Sequence, residues 1–413
     1  MSETSMDSDT GQRWPVIWVG GVHGTSLFDA QMDAWRRSGC AIVEWQELHE
    51  DRYRRSRGLA RLWFRVRLNC LFPLRLVARM LWGRRAPGTI IVVPSTPFFA
   101  PAMIGLLKRK GDRVVQMLYD LYPDALVVAG KIGAGSMLDR MIGRVTALGM
   151  RRCDATVFPG ARLAAHAAAS YGAPRLQAVI PVGTPAGALR RVAPASGRDG
   201  AITVLYAGNL GYMHEVETLA AALRRGLPRS LRLVFHASGA CYERLRQMAG
   251  DWSEDTRARI VLSGSLKSEA WGAAMANAQV GLILFAPGAE KVAFPSKTFS
   301  AMAAGQAIVA VSPLESDLAD MIKREDCGWV VAPGDSEGLL DALAALVECP
   351  DQLARKREAS RRAGQQKYDL FQLAGEWSAL FSQLSGGGTA NNVGPESKIP
   401  GGGGAAEGAV SDN

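Results

Sequence analysis

Apolar residues come in short runs separated by helix-length amphipathic stretches, and this alternation occurs twice along the chain. In the first series, residues 16–19, 41–44, 89–93, 114–119, 155–158 and 177–180 read as strands. Runs of four to six apolar residues bounded by turn residues fit strands covered on both faces. Between them, residues 26–38, 101–109, 136–151 and 162–171 carry helical spacing. From Pro181 to Gly200 the chain turns to Pro, Gly, Ala, Ser and Arg, the composition of a linker. A second series follows, with strands at 202–206, 231–236, 260–263, 280–285, 307–311 and 328–331. Its helices begin near Glu215, Lys267, Ser316, Ser336 and Pro350. A last stretch, 368–384, carries Phe371, Trp377 and Phe381, so it has a large apolar face to bury. Strands alternating with helices predict an α/β protein with two parallel, doubly wound sheets. The boundaries are 14–183, a linker 184–200, 201–366, and a helix 367–385 that crosses back to the first domain. The glycine-rich, aperiodic tail 386–413 is predicted to be disordered.

Composition sharpens this picture in three places. A length of 413 residues suits two domains, and 48% hydrophobic with 21% charged residues is globular. Six scattered cysteines with no Cys-x-x-Cys pair argue against a disulfide frame or zinc site. The polar start, residues 1–11, lacks the layout of a secretory signal.

The net charge of +9 is concentrated in one segment. Between Arg52 and Arg85 lie eleven arginines, no lysine and no acid, so +9 less 11 leaves −2 elsewhere. One basic element without a nucleic-acid motif argues against nucleic-acid binding. Trp63, Phe64 and Trp82 accompany these arginines, as in a helix lying on an anionic membrane surface. The alternative is a core-packing helix with a solvated charged face. The uncharged run 86–107 is long enough to span a bilayer, but Pro94, Pro97 and Pro101 break it into a strand, a loop and a helix. No transmembrane helix is predicted, and the protein is expected to be cytoplasmic, peripheral on the inner face of the cell membrane.

Candidate chemistry gathers where strands end. In the stretch 290–305, Pro295 and Ser296 look like a helix start, with the Ser296 hydroxyl as N-cap, and Gly305 like its C-terminal glycine. Lys297 in the first turn opposes the helix dipole unless an anion is held there. Alone, it reads equally well as a solvated lysine. Other strand ends in the second series carry small residues: Gly208-Asn209, Ser238-Gly239 and Ser265-Leu266. In the first series, Gly20 and Gly21 read as a turn that lets a ligand approach the backbone, although their spacing is not that of a dinucleotide fingerprint. His23 is either ligand-facing or solvated. Asp120, at a strand's carboxyl end, is either a ligand contact or a turn cap.

Three segments together resemble the family-4 glycosyltransferases of GT-B fold, bacterial capsule, exopolysaccharide and O-antigen type. These are Tyr206-Ala-Gly-Asn-Leu-Gly211, Glu217-Thr-Leu219 and Phe294-Pro-Ser-Lys-Thr-Phe-Ser-Ala-Met-Ala-Ala-Gly305. Asp120-Leu-Tyr-Pro123 and Ile180-Pro-Val-Gly183 are also similar to that group. The resemblance implies retaining transfer of a hexosyl or N-acetylhexosaminyl group from a nucleotide diphosphate sugar. It implies no metal and no cofactor, and an acceptor that is a glycan or a polyprenyl-linked glycan. It places the diphosphate at Pro295, Ser296 and Lys297, with backbone approach at Gly208 and Asn209. Ser238, Gly239, Ser265 and Leu266 would lie beside the nucleotide, and His214 would share the role of a basic residue after the glycine turn. Glu290 would meet the sugar and, with Asp120, is the catalytic candidate; Gly20, Gly21 and His23 would line the acceptor side. Many members carry two glutamates separated by seven residues; here those positions are Val292 and Ser300, the latter a weaker ribose partner. That departure also suits a catalytically silent subunit scaffolding a polysaccharide assembly complex, and association with other such proteins is a further expectation.

Overall fold

The computed structural model describes residues 14–23, 26–49, 56, 58–189 and 200–386. The first sheet comprises β1 (Pro15–His23), β2 (Ala41–His49), β3 (Ile90–Pro94), β4 (Arg113–Met117), β5 (Ala155–Phe158) and β6 (Gln177–Val179). Its order is β2-β1-β3-β4-β5-β6. The second comprises β7 (Ile202–Asn209), β8 (Leu231–Ser238), β9 (Ile260–Ser263), β10 (Val280–Leu284), β11 (Ala307–Val311) and β12 (Gly328–Val331), in the order β12-β11-β10-β7-β8-β9. Every strand pair is parallel. Parallel neighbours need crossover connections, which the intervening helices supply while covering both faces. β3, β10 and β11 are accordingly buried at every residue.

Strand order reverses between β1 and β3 in the first sheet and between β7 and β10 in the second. Open α/β sheets bind ligands at such switch points, outside the carboxyl ends of the strands. The second sheet adds a geometric step there. β7 stays paired with β8 as far as Asn209, whereas it pairs with β10 only at Val204 and Leu205. The end of β7 therefore runs beside an open crevice.

The crossover helix is present as Leu370–Ser385 and packs on helix Ser26–Arg37. Trp377 is fully buried there, its ring 4.9 Å from Trp35 and 5.8 Å from Phe381. The two chain crossings touch each other, since Thr184 N–H donates to the Tyr368 carbonyl (3.0 Å) and Leu370 N–H to the Thr184 carbonyl (3.1 Å). On the other side the sheets meet through Asp120 and Ala293, an antiparallel bridge reinforced by Leu121 N–H to the Val292 carbonyl at 2.9 Å. The Asp317 carboxylate also accepts from Arg162 N–H and Leu163 N–H, both 2.9 Å, at the start of helix Ala161–Tyr171.

Several expectations need correction. Gly20 and Gly21 lie within β1, not in a turn, and β7 runs three residues beyond the predicted end at Tyr206, so that Gly208 and Asn209 fall inside the strand end. β2 runs five residues beyond the predicted end at Glu44. Helices Ala240–Met248 and Glu254–Ala258 were not anticipated; the first buries only Tyr242 and Leu245, too few apolar positions to mark it. In the arginine-rich segment, helix Phe72–Trp82 turns Phe72, Leu76 and Met80 into the core, the core-packing alternative for that face. Helix Gly58–Val66 buries nothing. Arg67 (2.6 Å) and Arg75 are paired with Glu47, and Arg85 forms a buried pair with Asp112 at 2.7 Å. Among the described residues no helix is long and apolar enough to cross a membrane. The predicted disorder of the tail falls on residues outside those described, Gly386 excepted.

The Trp35–Trp377 contact gives a direct test of the crossover. Trp377→Ala removes a fully buried indole, a change that costs about 3–5 kcal/mol in protein cores. The first transition in urea unfolding, followed by circular dichroism, is expected to move to lower denaturant by that energy divided by the slope of stability against urea concentration.

Candidate active site

Lys297 opens helix Lys297–Ala303, which follows the loop after β10. Its side chain reaches back across the end of β7. The ammonium lies 5.5 Å from the centroid of the Tyr206 ring, on β7, and 3.3 Å from His214 Nε2. Gly208, with φ of +129°, makes that path possible, because a Cβ there would stand 2.9 Å from Lys297 Cε. The loop carrying His214 is fixed to the β10 side by Ala286 N–H donating to the Met213 carbonyl at 3.0 Å. The switch point thus brings together residues almost ninety positions apart.

Electrostatics here are unusual for a lysine. Burial lowers its pKa to about 8, and no carboxylate pairs with it among the described residues. Burial, and secondarily the neighbouring Lys297 charge, lower the His214 pKa to about 3, so that imidazole is neutral. Its Nδ1 faces the Gly211 carbonyl at 3.1 Å, a contact that requires Nδ1–H. Nε2 is therefore left as an acceptor for the lysine ammonium. A cation held only by a ring face and a neutral nitrogen lacks the partner that buried charges ordinarily have.

The other donor-side candidates surround this centre. Asn209 lies against Gly239, where a Cβ would fall 2.6 Å from both Asn209 Oδ1 and the Leu210 carbonyl, at a φ of +120°. Gly239 is thus obligatory for the close packing of β7 on the start of helix Ala240–Met248. Ser265 donates to Ser238 Oγ at 3.0 Å, joining the ends of β8 and β9, with Leu266 half-buried beside it. Pro295 contributes its carbonyl, which accepts from Thr298 N–H and from Thr298 Oγ1 at 2.8 Å. Ser296 corrects the reading of it as an N-cap. It is exposed, has helical dihedrals and makes no side-chain capping bond; the turn is closed by i→i+3 bonds instead.

Ser300, on the same helix, faces Thr184 of the crossover, hydroxyl to hydroxyl at 3.4 Å. Val292 is fully buried. Neither position therefore supplies the carboxylate of the two-glutamate pattern. Glu290 sits in the short 3₁₀ turn Ala289–Lys291 and has one carboxylate oxygen buried without a hydrogen-bond partner. Asp120 adjoins this turn through its bridge to Ala293. Its side chain, however, lines a small first-domain cavity with Ser95, Gln116, Tyr122 and Thr146, and burial raises its pKa. Asp120 and Lys297 thus belong to separate groups. Gly20 and Gly21 lie near the end of β1 at the first switch point with His23, whose side chain is not described.

Two participants escaped the sequence. Tyr206 was read only as part of a motif, although an aromatic two residues before Gly208 on a strand shares its face and so lies under whatever crosses that glycine. Thr184 had no signal, being one polar residue in a Pro- and Gly-rich segment.

Residues 201–349 match the family model for glycosyl transferases group 1. Over 329 residues the chain is 24% identical to a Pseudomonas aeruginosa protein described as "Probable glycosyltransferase WbjE", covering 76% of this chain and 78% of that one. Among solved structures, HepE from Anabaena in complex with UDP superposes with a TM-score of 0.64 at 13% identity, over 89% of this chain and 99% of its own. WaaG, a glycosyltransferase involved in lipopolysaccharide biosynthesis, gives 0.61 at 13% identity, over 89% and 100%. Residues 201–349 thus resemble a group 1 glycosyl transferase domain, and the chain as a whole has the GT-B fold, two parallel six-stranded sheets, of these solved structures.

Proposed function

We propose that the protein transfers a sugar, with retention, from a nucleotide diphosphate sugar to a lipid-linked acceptor in surface polysaccharide assembly. The observation that carries this reading is the Lys297 ammonium, half-buried at the β7/β10 switch point with no carboxylate paired to it among the described residues. A diphosphate supplies that counter-charge: at 4 Å and an effective dielectric of 20 the attraction is about 4 kcal/mol. In the reaction, the bond from the anomeric carbon to the diphosphate oxygen breaks. The acceptor oxygen bonds to the same face, and its proton passes to the departing diphosphate. Lys297 offsets the charge that grows on the leaving group, and a group already in place does this without reorganisation. Glu290, with a free carboxylate oxygen beside the junction of the two sheets, is suited to the sugar hydroxyls. UDP bound to HepE, whose fold this chain shares, supports a nucleotide diphosphate as ligand. WaaG supports an acceptor of the cell-envelope type.

The surface of the first domain suits a membrane-held acceptor. Leu59, Leu62, Trp63, Leu74 and Trp82 are more than half exposed, on helices Gly58–Val66 and Phe72–Trp82. Each basic residue near an anionic leaflet adds roughly 1 kcal/mol. Arg67 and Arg75 are spoken for by Glu47, so Arg61 is the better probe on this face.

Three measurements check these statements. Isothermal titration with UDP is expected to show at least tenfold weaker binding for Lys297→Met, and a screen of nucleotide sugars with membrane lipid acceptors should release the nucleoside diphosphate. Binding without release for every donor would favour the silent scaffold, to which Val292 and Ser300 lend themselves. The triple change Arg61→Glu, Trp63→Ala and Trp82→Ala is expected to lower binding to phosphatidylglycerol vesicles at least tenfold with an unaltered circular dichroism spectrum. Unchanged vesicle binding would leave that surface without a membrane role.

A further inference from the structure

We infer that His214 is a positioning residue: it acts as a neutral hydrogen-bond acceptor that aims the Lys297 ammonium, and it does not itself contact the diphosphate as a cation. The role described for Lys297 rests on the proposed donor site, but the His214–Lys297 contact does not. Three observations carry the inference. The His214 ring is held from behind, Nδ1–H to the Gly211 carbonyl at 3.1 Å, which fixes the tautomer and presents the Nε2 lone pair to Lys297 at 3.3 Å. His214 N–H donates to the same Gly211 carbonyl at 3.1 Å, so backbone and ring are anchored together. The Tyr206 ring lies edge-on to the imidazole (6.1 Å, 81°) and also under the ammonium, closing the other side. A protonated imidazole would have to surrender the lone pair and place a second positive charge 3.3 Å from the first. Burial and Lys297 both drive the His214 pKa down, to about 3.

The remaining titratable groups packed on the pair leave this balance alone. Burial raises Tyr206 well above its ordinary value, so it stays neutral. Cys241, whose Sγ–H donates to the His214 carbonyl at 3.4 Å, is also raised by burial. Glu215 accepts from Thr218 N–H at 2.6 Å, and Glu217 pairs with Arg244 at 2.7 Å. A basic residue after the glycine turn was expected from the resemblance to add positive charge for the phosphates. Here that position instead spends its polarity on orienting the one lysine.

The test reads Lys297 without any nucleotide. Lysines are dimethylated with ¹³C-formaldehyde, the Lys297 signal is assigned with Lys297→Met, and its titration is followed by NMR in wild type, His214→Gln and His214→Leu. Gln keeps a neutral acceptor; Leu fills the ring's volume without one and keeps water out. An acceptor favours the charged ammonium, so its removal is expected to lower the Lys297 pKa by about one unit in His214→Leu, while His214→Gln stays close to wild type. An unshifted Lys297 in His214→Leu would overturn the inference. UDP titrations from pH 5 to 9 give the second readout. His214→Gln is expected to keep UDP affinity within about twofold at every pH, the nucleotide's own ionisation cancelling in the comparison. Affinity that rises in wild type below pH 7 but not in His214→Gln would make His214 a phosphate-binding cation and also overturn it. Unchanged UDP binding in Lys297→Met would instead remove the donor-site reading and leave the His214–Lys297 pairing standing.

Discussion

Lys297 carries its charge to a place where burial lowers its pKa to about 8 and where, among the described residues, an aromatic face and a neutral imidazole meet it. Such a charge is costly unless something anionic completes it. Much of the second half of the molecule is arranged so that this arrangement can exist. β7 carries a glycine, Gly208, one residue before its end, where the side chain crosses it, and β10 must lie beside β7 for the helix bearing the lysine to start nearby. The loop after β7 must fold back to the β10 side, which Met213 and Ala286 accomplish. The strand order β12-β11-β10-β7-β8-β9 is therefore a precondition of the site as well as a way to bury apolar surface.

The same helix ties the site to the crossings between the two sheets. Phe299, fully buried, lies 5.3 Å from the Tyr368 ring, and Ser300 faces Thr184. Thr184 and Tyr368 are themselves joined by backbone hydrogen bonds where the chain passes from one sheet to the other. Beyond this point, Trp377 locks the returning helix to the first sheet's outer helix. The lysine is thus two residues from Phe299, whose ring packs on Tyr368 where the chain crosses between the two sheets.

How legible this was depended on what each residue's neighbours in sequence reveal. Strands such as Ala307–Val311 and Ile90–Pro94 announced themselves because both faces are buried and no polar side chain interrupts the run. Helix Ala240–Met248 did not, because seven of its nine residues are not buried and its pattern is that of a polar loop. Gly20 and Gly21 were legible as glycines but not as strand, since two glycines in succession usually mark a turn. Gly208 and Gly239 were legible as strand-end glycines, and Lys297 as the first residue of a helix, which is what made them candidates. The state of His214 was not, for its neutrality comes first from its own burial and secondarily from Lys297, 83 positions away. Ser296 misled because serine before a helix usually caps it, whereas here the first turn closes through the Pro295 and Ser296 carbonyls.

The central claim is that Lys297 is an uncompensated cation waiting for the diphosphate. The most direct measurement is the Lys297 pKa, followed by NMR in free protein and in protein saturated with UDP. An anion placed against the ammonium favours its charged form, so the account predicts a value near 8 in the free protein and a clear rise on UDP binding. A Lys297 that titrates like an ordinary solvated lysine, or whose pKa does not move when UDP binds, would contradict it.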